Sequence, residues 1–229
     1  MVKWYGLAAL SLVGGAAAAE ARLTAQEVRW LQAAGPLLAH ARQQAVPVDI
    51  VVQPQAGPND VPFAMGYDGK RCKLVLSMRG GGDADAVLAG SAPALQPLLM
   101  EAVAAHEFAH CWRNVQGQWL RLPAGFTEGG DEAGSPELLR AAKQQREQRR
   151  EEGYADLAAL AWTAQAHPGE YARVYAWLSA LRQTEPAARS AHDTRPWLRL
   201  ARDGTVFASS VTPFANVENL WQRGLLSGD

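Results

Sequence analysis

Two cysteines among 229 residues are too few for a disulfide-rich scaffold. The 22 basic and 23 acidic side chains nearly cancel, leaving a formal net charge of -1. No basic excess marks a nucleic-acid surface, and a polyanion is not the expected partner. With 21 glycines and 13 prolines the chain is neither collagen-like nor of low complexity, and 48% hydrophobic residues are enough to build a core. Histidine is scarce too, with 5 in all, so the spacing of any two of them carries information. No internal repeat is evident.

The apolar run of the first nineteen residues, WYGLAALSLVGG after the basic start MVK, falls short of the ~20 residues of a membrane span. Ala17-Ala18-Ala19 supplies a small-residue cleavage pattern before Glu20. Residues 1–19 therefore read as a cleavable secretory signal, and 20–229 as a single domain. No cysteine follows the run to carry a lipid, and no span remains once the signal is removed. The expected protein is exported, periplasmic or secreted, where Cys72 and Cys111 can form one disulfide.

Apolar residues recur at helical spacing from Leu23 to about Ala45, with a kink or break expected at Gly35-Pro36. Val48–Val52 and Lys73–Met78 read as strands around a Pro- and Gly-rich loop from Pro54 to Gly69, and Gly80-Gly81-Gly82 closes the strand region. Pro93 opens a long apolar helical pattern to about Val115, stopped by Gly117. Ser135-Pro136 caps and starts a further helix to about Ala166, charged from Lys143 to Glu152 and apolar from Leu157 to Trp162. The charged half reads as a solvated face. Another helical pattern carries Tyr171, Val174, Tyr175, Leu178 and Leu181, and from Pro186 onward no strong period is visible. Early strands followed by helices give an α+β class, a small sheet on a predominantly helical body.

Residues 106–110 read His-Glu-Phe-Ala-His. On a helix, His106 and His110 project from one face a turn apart, so both imidazoles can reach one zinc ion. Glu107 lies beside them. A site that only stores metal has no use for that carboxylate, whereas a hydrolase does: it takes a proton from the attacking water and hands it to a leaving amine. A third ligand belongs downstream. In Glu151-Glu152-Gly153-Tyr154-Ala155-Asp156, Glu152 and Asp156 share a helical face. Glu152 can bind the metal while Asp156 accepts the second ring N–H of a ligand histidine.

HEFAH followed by EGYAD resembles the gluzincin metallopeptidases, which carry His-Glu-x-x-His on one helix and Glu-x-x-x-Asp on a second. The Glu-x-x-Ala-Asp form is most similar to the HtpX and CAAX-protease group, and thermolysin-like enzymes share the looser pattern. The likeness covers roughly residues 93–166 and does not extend to the membrane spans of those relatives. It implies a zincin-like fold with Zn2+ between the two helices, held by His106, His110 and Glu152. Phe126-Thr127-Glu128-Gly129 resembles the element that supplies the glutamate in other gluzincins, so Glu128 competes as third ligand. Its glycine-rich surroundings favour Glu152.

The HtpX-like group also has a His and an Arg in a loop after the glutamate helix. By that likeness His192, in Ser190-Ala191-His192-Asp193-Thr194-Arg195, is the candidate oxyanion donor; the alternatives are a surface histidine, with Asp193 capping a helix near Pro196. His167 reads as a helix terminus and His40 as packing or surface. Cys111 lies four residues after Glu107, off the histidine face, which argues against zinc ligation. Zincins place a strand beside the histidine helix, so a Cys72–Cys111 disulfide is geometrically reasonable. Trp112, Trp119 and Phe126 line a pocket or belong to the core. The leading expectation is an exported zinc metallopeptidase acting on a peptide or protein. The alternatives are a catalytically silent zincin-fold binding protein of the cell envelope and a zinc amidase acting on cell-wall peptides.

Overall fold

The computed structural model describes residues 22–55, 57, 60–79, 83–128, 134–184, 190–207 and 212–228. The expected leader at 1–19 and the triple glycine at 80–82 lie outside the described residues. The architecture is α+β, mostly helical, with one small mixed sheet.

Helix α1 (Ala25–Ala33) starts at a capping box, in which the Glu27 backbone N–H donates to Thr24 Oγ1 and the Thr24 N–H donates to Glu27 Oε2. Ala34 separates it from α2 (Gly35–Gln43), whose first turn contains Pro36, so the expected break falls where a proline is tolerated. Strands β1 (Val48–Val52), β2 (Phe63–Tyr67) and β3 (Cys72–Leu76) are arranged β1-β3-β2. β1 runs parallel to β3, with Val48 opposite Cys72, and β2 runs antiparallel to it, with Phe63 opposite Leu76. β2 corrects the expectation of a loop from Pro54 to Gly69. Its Phe-Ala-Met-Gly-Tyr sequence has no β-branched residue, contains Gly66 and follows Pro62 directly, so local propensity gives only a weak strand signal. A turn with Gly69 at φ +91°, closed by the Asp68 N–H donating to the Arg71 carbonyl, pairs it to β3.

Helix α3 (Gln96–Val115) begins three residues later than expected and ends at Gly117 (φ +64°). There the Gly117 N–H donates to Asn114 O and the Gln118 N–H to Arg113 O, a Schellman closure. Ser135 caps α4 (Pro136–Ala166), as expected. The two helices pack on each other, and Ala105 and Ala109 on α3 and Ala155, Ala158 and Ala159 on α4 are all buried.

The charged half of α4 is not wholly solvated, since Arg149, Arg150 and Glu151 are buried. Glu151 receives two hydrogen bonds from the Arg113 guanidinium, which lies over the faces of the Tyr154 and Trp221 rings. Helices α5 (Tyr171–Thr184), α6 (Arg195–Leu198) and α7 (Pro213–Gly228) complete the body. α7 lies in the stretch read as lacking a period. Its buried Phe214, Val217, Leu220, Trp221 and Leu225 are spaced for one helical face. Among the described residues no helix is long and apolar enough to cross a membrane.

Candidate metal centre

The spacing of His106 and His110 places both rings on the α4 side of α3, with centroids 4.9 Å apart. Their Nε2 atoms are 3.3 Å apart. The Glu152 carboxylate on α4 meets both, 3.3 Å from His106 Nε2 and 3.5 Å from His110 Nε2. Ligand atoms of these three residues all lie within 4.8 Å of one another.

Asp156, one turn beyond Glu152, is fully buried, and each of its oxygens meets two polar atoms. Oδ1 lies 2.9 Å from His106 Nδ1 and receives an Arg182 Nη2–H at 2.8 Å. Oδ2 receives the Arg182 Nε–H at 2.8 Å and the Thr194 hydroxyl at 2.5 Å. Burial alone would raise the pKa of Asp156, but Arg182 and His106 hold it far below the usual carboxylate range. An ionised carboxylate only accepts, so His106 Nδ1 must donate, and its Nε2 faces Glu152 and His110.

In the metal-free chain the cluster shares charge in a definite way. Burial pulls His106 down, yet Glu152 and Asp156 override it and lift its pKa to about 10. Burial and the His106 charge push His110 down to about 4, leaving it neutral. Glu152 opposes its own burial and is held low, at about 2, by His106 first, then His110 and Arg182. Two imidazole nitrogens and an ionised carboxylate, buried and convergent, fit a metal ion. One imidazole is locked in the ligating tautomer by Asp156. The His110 Nδ1 atom is buried and has no hydrogen-bond partner among the described residues.

Glu107 projects beside this group, and its Oε2 accepts the Met65 backbone N–H at 2.9 Å. The pairing of β2 explains the bond. The Ser77 N–H donates to Pro62 O and the Asp68 N–H to Arg71 O, so even-numbered residues of β2 face β3 and the Met65 N–H points outward to the helix. Burial raises Glu107 to about 7, against the lowering effects of the His106 charge and the Met65 N–H.

All these groups open into a cleft of about 660 Å³. Val87, Val103, Trp177 and Leu181 form apolar wall on it, and Trp119 lines it with its ring edge-on to His110 at 5.4 Å. Trp119 belongs to the turn after α3. There the Leu120 N–H donates to Glu151 Oε1 at 2.9 Å, and Arg113 Nη2 donates to Arg121 O.

His192 stands at the cleft, exposed, with Nε2 3.8 Å from Glu152 Oε2. Glu128 does not join the donor group; its Oε1 accepts from Arg150 at 2.7 Å. His40 packs against Trp162 and Phe214, and His167 caps the end of α4 and reaches Glu101. Cys111 is bonded to Cys72 as a disulfide with a Cα–Cα distance of 5.7 Å. Trp112 packs with Phe214, at 6.0 Å between ring centroids, and Phe126 packs against the core. Asp193 accepts from Arg195, and the N-cap of α6 is Thr194.

Several participants escape sequence reasoning. The Met65 contact is made by a backbone N–H, which has no residue signature. Thr194 carries no signal of its own beside His192, and Glu151, the partner of Arg113, falls in the charged half of α4 that reads as a solvated face. Arg182 left a trace: it continues the i+4 series Val174, Leu178, an apolar stripe on which an isolated cation signals a buried partner. No protein-family model, curated protein or solved structure matches the chain.

Proposed function

We propose that the protein is an exported zinc-dependent metallopeptidase with His106, His110 and Glu152 as ligands and Glu107 as general base. The observation that carries the reading is the company these residues keep. A buried two-histidine, one-carboxylate group opens on a cleft with a second carboxylate tethered beside it. Zinc suits that donor set and supplies Lewis-acid chemistry, acidifying a water and polarising a peptide carbonyl.

The chain's own residues do the rest. Glu107 keeps Oε2 on the Met65 N–H, leaving Oε1 to take the proton of the attacking water and return it to the leaving amine. Desolvation keeps its basicity above that of an exposed glutamate. Asp156 accepts from His106 Nδ1 and so leaves Nε2 as the ligand atom. His192 donates to the oxygen on which negative charge develops. The leader-like N-terminus and the disulfide favour an oxidising, exported setting.

The test is Glu107→Gln assayed on a peptide library that includes cell-wall peptides. Both chains should bind one zinc, and the variant should lose hydrolysis by at least about 10²-fold. Undiminished cleavage by the variant overturns the mechanism. Zinc uptake without cleavage by the wild type turns the reading to a silent binding protein, and cleavage confined to cell-wall peptides turns it to an amidase.

A further inference from the structure

Thr194 occupies the N-cap of α6 yet makes no capping hydrogen bond. Threonine at an N-cap ordinarily accepts from a backbone N–H of the first turn, a bond whose loss costs about 1 kcal/mol. Here the hydroxyl is turned the other way and donates to Asp156 Oδ2 at 2.5 Å, in full burial. A fully buried side chain that forgoes its local bond for a distant carboxylate, 38 residues away in sequence, indicates that the tether matters more than the cap.

The tether holds one short piece of chain. The Thr194 N–H donates to His192 O at 2.9 Å, and the Asp193 N–H donates to Ser190 O at 3.1 Å, so residues 190–194 form a compact turn. Downstream, the Trp197 and Leu198 N–H groups both donate to Thr194 O, and Trp197 is fully buried. His192 is the exposed member of the turn and stands 3.8 Å from Glu152. Asp156 thus carries two loads. Through Oδ1 it meets the ring of His106, and through Oδ2 it anchors the turn that brings His192 to the same cleft.

We propose that Thr194 is a positioning residue that seats His192 over the metal site by tying its turn to Asp156. This rests on the metallopeptidase reading only in giving His192 the oxyanion as its task. The bond from Arg182 to both Asp156 oxygens does not involve Thr194, so loosening the turn leaves the orientation of His106 intact.

Thr194→Val removes the donor and keeps the shape. It should lower kcat at least about tenfold, with KM and zinc affinity, the latter by chelator competition, changed less than about threefold. Thr194→Ser should restore kcat. In His192→Ala, which should itself lose about 10² in kcat, adding Thr194→Val should cost nothing more. An unchanged kcat, additive losses in the double variant, or a parallel fall in zinc affinity overturns the proposal, the last because it would make Thr194 a support of His106 alone.

A readout independent of hydrolysis separates this proposal from the function it serves. With histidine-labelled, zinc-chelated protein, a nuclear Overhauser contact between the His192 ring and the Glu152 side chain should be present in wild type and Thr194→Ser and absent in Thr194→Val. Loss of cleavage in the wild type defeats the metallopeptidase reading while this spectrum still decides the tether. Should Thr194→Val not fold, the wild-type Thr194 hydroxyl proton should be visible and slow to exchange; a fast-exchanging hydroxyl overturns the tether.

Discussion

His106 and Glu107 are neighbours in sequence, and burial acts on them with different results. Both are desolvated, but only His106 faces two carboxylates. In protein stripped of metal by a chelator, the protonated His106 therefore stabilises the fold fully below its unfolded value of 6.5. That contribution is lost as pH rises through about 10. Glu107, raised from 4.5 to about 7, loses its contribution as pH rises over that span, while His110, lowered from 6.5 to about 4, loses its own as pH falls. Over the shared range near pH 4.5–6.5 the two slopes oppose each other, and the alkaline slope of His106 is left standing. Urea midpoints of the chelated protein should fall between about pH 6.5 and 10. Saturating zinc should suppress the fall, because the metal takes the place of the His106 proton. A chelated midpoint that is flat or rising over that range contradicts the assignment.

At the scale of elements, α4 is the member on which the others depend, since it carries Glu152 and Asp156 toward α3 and presents Gly153 on a neighbouring face. A Cβ on Gly153 would lie 2.5 Å from the Trp197 ring, and one on Gly224 of α7 would lie 2.1 Å from it, so the indole is held between two glycines. Gly153→Ala should destabilise the protein by about 1–3 kcal/mol in spite of alanine's better helix propensity, as a drop in urea midpoint at unchanged slope. A stabilised variant would mean that Trp197 moves aside without cost. The limits of α4 and the end of α3 were legible because Ser135-Pro136 and Gly117 are local signals whose physics acts within a turn or two. The shared faces of His106 with His110 and of Glu152 with Asp156 were legible because i, i+4 spacing survives any packing of the helices, whereas the meeting of the two faces was expected from the likeness of HEFAH and EGYAD, taken together, to the gluzincins. β2 was not, because its pairing comes from β3 and a turn and not from its own residues. Thr194 and Arg182 were not assigned because their partner, Asp156, is distant in sequence. The helical period of α7 is plain in Phe214, Val217, Trp221 and Leu225 once the segment is read from residue 213.

Across the whole molecule, the sheet and the helical body are cross-linked by the disulfide Cys72–Cys111. The bond runs from the first residue of β3 to the residue after His110, closing a loop with a sequence separation of 39. Loop entropy of that size corresponds to about 4 kcal/mol. Replacing both cysteines by alanine should lower stability by about 2–4 kcal/mol in denaturant titration, and the unreduced wild type should show no free thiol. A double variant as stable as the wild type would mean that packing of α3 on the sheet suffices without the bond. The same ring has a meaning for a protein whose surroundings contain proteases. The connection between β3 and α3 lies inside the ring, so a single cut anywhere along it leaves two fragments that stay fastened to each other. The nick would pass unnoticed by size until a reductant was added, and β2 with the Met65 donor would remain attached to the half that carries Glu107.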